Sequence, residues 1–215
     1  MRRRVLLGGT ALTLAAGTAG CLGFLTGEEP LSFEAEPAAA ADGTASETGY
    51  ETDGPRAETV TREFTAAGQT REVEVTNRIT TYEKTVEVGT LGEAKLGVFA
   101  AIASPKVEIA GRTLNPIEDH SNDDLVELLA SQYEGIEDPS AVDERTVETL
   151  GSETTFTKYE AVATFDGQEV DVYVHVGRVE SGDDFVVAMG VYPRAMEDQE
   201  EPNVVSLAGS LEHPA

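Results

Sequence analysis

The chain has 215 residues, with 40 Asp+Glu against 15 Lys+Arg, a formal charge of −25 and 40% hydrophobic residues. That hydrophobic share suffices for a core and excludes wholesale disorder, while the acidic balance excludes nucleic acid as a direct partner, because binding it takes a positive patch. A single Cys excludes an internal disulfide framework and a CxxC zinc site, and no apolar run reaches the roughly 20 residues of a membrane-spanning helix.

Residues 1–21 read MRRRVLLGGTALTLAAGTAGC. Arg2, Arg3 and Arg4 precede a mildly apolar stretch from Val5 to Ala19 that ends in small residues before Cys21. This is the charged start, apolar middle and small-residue exit of an export signal. Arginines followed by Val5, Leu6 and Leu7 resemble the twin-arginine signal, the route for proteins that fold before export. Thr18-Ala19-Gly20-Cys21 resembles a lipobox, where a peptidase cuts before a Cys that carries lipid; Thr18 stands where Leu is typical. A buried helix with a core Cys is the competing reading. The expected organisation is a signal peptide over 1–20, a lipidated tether over 21–30 and a single α+β domain over 31–215. The implied partner is the membrane, through lipid on Cys21, and the implied place is the outer face of the cell membrane.

Cleavage before Cys21 removes three arginines and takes the formal charge from −25 to −28. Only four lysines occur, Lys84, Lys95, Lys106 and Lys158, and there is no Trp. An acid-rich, lysine-poor surface of this kind resembles proteins of extremely halophilic archaea, with a merely acidic protein as the competing reading. The physical logic is screening: at about 1 M salt the Debye length is about 3 Å, so a dense carboxylate coat hardly repels itself.

In chain order, Leu31 to Glu36 reads as a first strand. Pro37 followed by Ala38 to Ala41 can open a helix, but Gly43 and Gly49 leave helix and loop both open for 38–49. From Glu58 the apolar period becomes two. A turn at Ala67-Gly68 pairs Arg62 with Val73 and Val60 with Val75. The apolar parity then shifts from Val73, Val75 and Ile79 to Tyr82, Val86 and Val88, which predicts a bulge near Thr80. Residues 96–103, LGVFAAIA, suit a central strand covered on both faces and ended by Pro105. Val107 and Ile109 alternate before Ala110-Gly111. Ser121 is a predicted N-cap, with Asp123 and Asp124 in the first turn, a stripe of Leu125, Leu128, Leu129 and Tyr133, and Gly135 as the C-terminal stop.

Asp166-Gly167 is a favoured two-residue hairpin turn. It pairs Phe165 with Gln168, Ala163 with Val170, Ala161 with Val172 and Tyr159 with Val174 on one apolar face. The opposite, largely polar face carries Thr164/Glu169, Val162/Asp171, Glu160/Tyr173 and Lys158/His175. A second reversal at Ser181 to Asp184 puts Val187 against Arg178, Met189 against Val176 and Val191 against Val174. Two independent turns thus give one buried face, that of a three-stranded antiparallel meander. A second helix is predicted after Pro202, with Val204, Leu207, Ala208 and Leu211 as its stripe. A one-sided meander needs a cover, which the two helices supply. The expected fold class is α+β, a mostly antiparallel sheet packed with two or three helices.

Arg2 to Arg4, TAGC ending at Cys21, LSFEAEP, REVEVTN (71–77), NPIEDHSNDDLVE (115–127) and DDFVVAMGVYP (183–193) together resemble an uncharacterised family of haloarchaeal lipoproteins. The resemblance covers nearly the whole chain and implies a location rather than a chemistry. The order of elements also resembles the domain shared by the photosystem extrinsic protein PsbP and the nuclear transport factor Mog1, which implies a fold and not a function.

Three histidines are candidates for chemistry. His120, in Glu118-Asp119-His120-Ser121-Asn122-Asp123-Asp124, reads either as a cation-binding loop or as the acidic first turn of a helix, without EF-hand spacing. His175 is expected on a solvated face beside Lys158, and His213 at a frayed end. No GxSxG, HExxH, phosphate loop or CxxC occurs. The carboxylate pairs Glu28-Glu29, Asp123-Asp124, Asp183-Asp184 and Glu200-Glu201 are expected by chance in so acidic a chain, with Asp183-Asp184 serving a turn. No catalytic residue, metal ligand or cofactor is assigned. The expected function is a membrane-anchored, non-enzymatic exterior domain that binds a protein or serves an envelope complex. The alternatives are a small-ligand or cation-binding lipoprotein and a hydrolase whose site is assembled from scattered residues.

Overall fold

The computed structural model describes residues 30–66, 69–87, 93–109, 112–113, 115–132, 136–165 and 168–215. Two compact units are distinguished, one of residues up to Ser32 with Thr61–Glu74, the other of Phe33–Val60 with Val75–Ala215.

The elements run β1 (Leu31–Glu34), β2 (Ala39–Ala40), α1 (Asp42–Thr48), β3 (Glu51–Ala66), β4 (Gln69–Glu87), β5 (Glu93–Pro105), β6 (Glu108–Ile109) and β7 (Arg112–Thr113). A 3₁₀ turn (Pro116–Glu118), α2 (Asn122–Gln132), β8 (Ile136–Thr149), β9 (Ser152–Phe165), β10 (Gln168–Ser181) and β11 (Asp184–Pro193) follow. A second 3₁₀ turn (Arg194–Met196), α3 (Glu197–Gly209) and β12 (Leu211–Glu212) close the chain. The fold is α+β, with an eight-stranded sheet in the order β1-β4-β5-β11-β10-β9-β8 and β3 paired to β4.

The meander has the register the turns predict: Phe165 opposite Gln168 and Tyr159 opposite Val174 in one pair, Val174 opposite Val191 and Arg178 opposite Val187 in the other. β5 is central as expected, paired to β4 and to β11, and ends at Pro105. In the β3–β4 hairpin, Thr59 and Thr76 hydroxyls bond at 2.8 Å in the larger unit and Thr65 and Thr70 at 2.9 Å in the smaller, both in the expected register. The turns Ala67-Gly68, Ala110-Gly111 and Asp166-Gly167, with Tyr133 and Gly135, lie outside the described residues.

Each face of the sheet of the larger unit is covered. On one side α2 packs Leu125, Val126 and Leu129 onto Tyr159, Ala161, Val172, Val174, Val176, Val187, Met189 and Val191. On the other, α1, α3 and the small β2–β12 ladder cover Tyr82, Phe99, Ala101, Phe156, Ala188 and Tyr192. The two predicted helices therefore cover opposite faces, not one.

Four local expectations are corrected. No register shift occurs at Thr80; the irregularity lies between Lys84 and Thr85. Ile79, Thr80 and Tyr82 are all buried, so a strand covered on both faces switches apolar parity without bulging. The helix expected from Pro37 begins at Asp42, after a two-residue strand, and Gly49 ends it in the left-handed conformation at φ 75°. α3 starts at Glu197, five residues before Pro202, which it contains. Leu211 belongs to β12, not to the helical stripe.

Candidate functional site

Helix α3 turns positions 197, 200, 201, 204, 207 and 208 toward the sheet, the spacing of one helical face. The C-terminal half of that stripe is apolar, with Val204, Leu207 and Ala208 buried. The N-terminal half is acidic, and the chain beneath answers with cations and phenols. Glu200, 0% exposed, accepts from Lys84 Nζ at 2.7 Å and from the Tyr50 hydroxyl at 3.0 Å. Glu201 accepts from Lys158 Nζ at 2.8 Å and pairs with Arg145; Glu197 also pairs with Lys158. Lys158 stands 4.0 Å above the Tyr173 ring, and Arg194 pairs with Glu160 at 3.0 Å. Below them His175 Nε2 meets the Tyr192 hydroxyl at 2.8 Å, the two rings stacked with centroids 5.5 Å apart.

Burial and pairing set the protonation of this seam. Burial pushes His175 down to about 4, against a smaller opposing pull from Glu201. Burial also works against the charge of Lys158, but its bonds to Glu197 and Glu201 outweigh it and hold the ammonium above its ordinary range. For Glu201 burial is outweighed by the Lys158 bond and by Arg145, which hold its carboxyl low. Burial, then Glu200, raises Tyr50; burial, then Glu201, raises Tyr192. At neutral pH the seam is thus a neutral His–Tyr pair roofed by paired carboxylates and cations. Two glycines let the roof descend: a Cβ on Gly190 would overlap Val204, and one on Gly97 would overlap the Tyr50 hydroxyl.

His175 is therefore not the solvated surface residue its strand position suggests; it is 1% exposed. Its neighbour Lys158 is 6% exposed. The polar face of the meander faces a helix that brings matching charges.

At the opposite face, α2 starts with the expected cap. Asp124 Oδ2 accepts from the Ser121 amide at 2.8 Å and from its hydroxyl at 2.7 Å, and the Asp124 amide returns a bond to Ser121 Oγ at 3.2 Å. These bonds hold the Asp124 carboxyl below its usual range. His120, Ser121 and Asn122 then line an open groove of about 520 Å³ with Ser152 to Thr155 and Arg178 to Glu180. Arg178 donates to the Ile117 and Glu118 carbonyls, and His120 Nδ1 is buried without a hydrogen-bond partner. The Ser121–Asp124 cap is the geometry of a helix start, one of the two readings of 118–124.

The chain end is not frayed. Ala215 donates to the Pro37 carbonyl at 2.9 Å, and β12 pairs with β2. His213 is held between Ser181 Oγ at 3.0 Å from Nδ1 and Asp184 Oδ2 at 3.0 Å from Nε2. Asp184 also accepts from the Glu36 amide at 2.9 Å. Its carboxylate thus ties the segment after β1 and the C-terminal segment to the β10–β11 reversal, where only a turn role was expected.

Arg2, Arg3, Arg4 and Cys21 lie outside the described residues. Glu197, Glu200, Glu201, Lys84 and Tyr50 were missed in the sequence, though one signal exists: extending the Val204–Leu207–Ala208 stripe back by helical spacing lands on three glutamates. The Ser181–His213–Asp184 grouping has no local signal at all.

The model of a family described as a domain of unknown function (DUF6517) matches residues 37–212, and the chain belongs to that family. No curated protein matches the sequence. Among solved structures, the solution structure of cyanobacterial PsbP (CyanoP) from Synechocystis sp. PCC 6803 is similar at a TM-score of 0.38 and 11% identity, over 83% of this chain and 92% of that one.

Proposed function

We propose that this member of the DUF6517 family is a lipid-anchored domain at the outer face of the cell membrane that works by binding an envelope protein. The observation that carries the reading is the run MRRRVLLGGTALTLAAGTAGC, in which Arg2 to Arg4, a short apolar stretch and Cys21 occupy the positions of a twin-arginine lipoprotein signal. Residues 22–30 then separate Cys21 from β1, enough chain to stand the domain off a bilayer. The attached lipid of this class carries two long chains, which suffices for stable anchoring without a basic patch. The kinship with the PsbP and Mog1 domain is part of the same proposal and rests on the element order alone. A second reading, a small-ligand lipoprotein, is favoured by the groove lined by His120, Asn122 and Arg178.

Fractionation of cells expressing the full chain tests the anchor. Wild type sediments with membranes and carries a diacylglyceryl mass on Cys21; Cys21→Ser is released or stays unprocessed. Wild type found wholly in the soluble cytoplasmic fraction overturns the proposal. The haloarchaeal part rests on the −28 formal charge and four lysines. At low salt those carboxylates repel across the whole domain, and unfolding spreads them apart. A melting temperature that climbs as KCl goes from about 0.05 M to about 3 M supports it, and a flat one refutes it.

A further inference from the structure

Ser181, His213 and Asp184 form a chain of hydrogen bonds that no motif announces. The tautomer of His213 follows from its partners. Nε2 faces Asp184 Oδ2 at 3.0 Å and the Glu36 carbonyl at 3.2 Å, and neither oxygen can donate. Nε2 therefore carries a proton, and in the neutral imidazole Nδ1 is left as the acceptor of the Ser181 hydroxyl, 3.0 Å away. The His213 and Asp184 side chains are 4% and 7% exposed. Asp184 is fixed further by the Glu36 amide. Ser181 is only partly covered, and the two residues that follow it, Gly182 and Asp183, are exposed. A partly exposed hydroxyl, an imidazole nitrogen within hydrogen-bond reach of it and a buried carboxylate orienting that imidazole are the parts of an activated nucleophile.

We propose that Ser181 is the nucleophile of a hydrolytic site, with His213 as its general base and Asp184 as the positioning residue. Ser181 Oγ bonds to the carbonyl carbon of an ester while its proton passes to His213 Nδ1. The ester C–O bond then breaks, and His213 returns the proton to the leaving alcohol. Water, deprotonated by His213, next cleaves the acyl–Oγ bond, releases the carboxylic acid and restores the hydroxyl. Ser181 ends β10 beside an exposed turn, so the substrates are small esters. Glu180 beside Ser181 is paired with Lys106, which also bonds the Gly182 carbonyl, so the charges around the hydroxyl are balanced and the esters are neutral ones.

The test is labelling of the folded full chain, in molar KCl, with a fluorophosphonate, which loses fluoride as Ser Oγ bonds to phosphorus. The expected result is one adduct, located on Ser181 by peptide mass. It is absent from Ser181→Ala and slowed at least about a hundredfold in His213→Gln. Neutral p-nitrophenyl acetate should be turned over with the same dependence. Asp184→Asn should slow labelling and remove the low-field NMR resonance of the His213 Nε2 proton, a signature that a general loss of packing would not single out. Absence of any adduct on folded wild type overturns the proposal, as does an adduct on another residue or an unchanged rate in folded His213→Gln. None of these outcomes depends on Cys21 or on the anchor.

Discussion

The two faces of the meander are made by the same strands, β9, β10 and β11, yet they are held in opposite ways. Toward α2 stand Tyr159, Val172, Val174, Val176, Met189 and Val191, joined by apolar contact. Toward α3 stand Lys158, His175 and Tyr192, roofed by Glu197 and Glu201. The first face gains from removing apolar surface from water, on the order of 1.5–3 kcal/mol per large side chain. The second gains little net from its ion pairs, because desolvation offsets attraction; what it gains is a single docking position for α3. Alternation along a strand thus reports which side is apolar, but not which side is wet.

The largest effect expected from this contrast is on the apolar face. Val174→Asp buries a charge with no partner beside Tyr159 and Val191 and should cost several kcal/mol, enough to abolish a cooperative melt. A well-folded Val174→Asp variant would show that face to be wet after all.

Next comes the buried pair on the other face. Lys84→Met leaves the Glu200 carboxylate buried with only the neutral groups of Tyr50 and Asn203, a loss of about 3–5 kcal/mol in urea unfolding. Adding Glu200→Leu should restore most of it, since replacing both members of a buried pair by apolar groups is often neutral. A double variant as unstable as the single one would mean that the seam contributes net stability.

His175 separates the faces by pH. Its folded value of about 4 lies below its ordinary 6.5, so between those values the unfolded chain binds a proton that the folded chain refuses. The stability this group contributes is complete above about pH 6.5 and is lost as pH falls toward 4. The loss amounts to about 3 kcal/mol. Unfolding free energies measured against pH in molar KCl, where carboxylate repulsion is screened, should fall over that window, and His175→Gln should flatten the fall. At pH 7, His175→Ala should cost about 1–3 kcal/mol, because the Tyr192 hydroxyl loses its buried partner; a silent change would return this face to solvent.

The smallest effect is expected outside both faces. Lys95 and Glu83 pair at 2.6 Å, but their side chains are 41% and 46% exposed. Lys95→Ala should shift stability by less than about 1 kcal/mol, and not at all in molar salt. The Lys84→Met cost should by contrast persist in salt, since buried pairs are screened much less.

Much of the architecture was legible because it is local. The register of β9, β10 and β11 follows from two-residue reversals and period-two alternation. The start of α2 follows from Ser121 and Asp124, which cap each other within one turn. Strand β8 was not legible, because most of its side chains are exposed along a sheet edge and carry no apolar alternation. The start of α3 was missed because Pro202 read as an opening residue, whereas the first turns are held from outside by Lys84 and Lys158.

By itself the sequence determined the α+β class, the hairpin registers, the central place of β5 and the acidity of the surface. These depend on neighbours within a few residues or on totals over the chain. Only the tertiary structure decided that Lys158 and His175 are buried, that Glu200 meets Lys84 across 116 residues, and that His213 lies between Ser181 and Asp184. The reason is that a polar side chain has the same local pattern whether it faces water or a partner. The difference is made by a helix or a chain end arriving from far along the sequence, with the complementary group on the right turn.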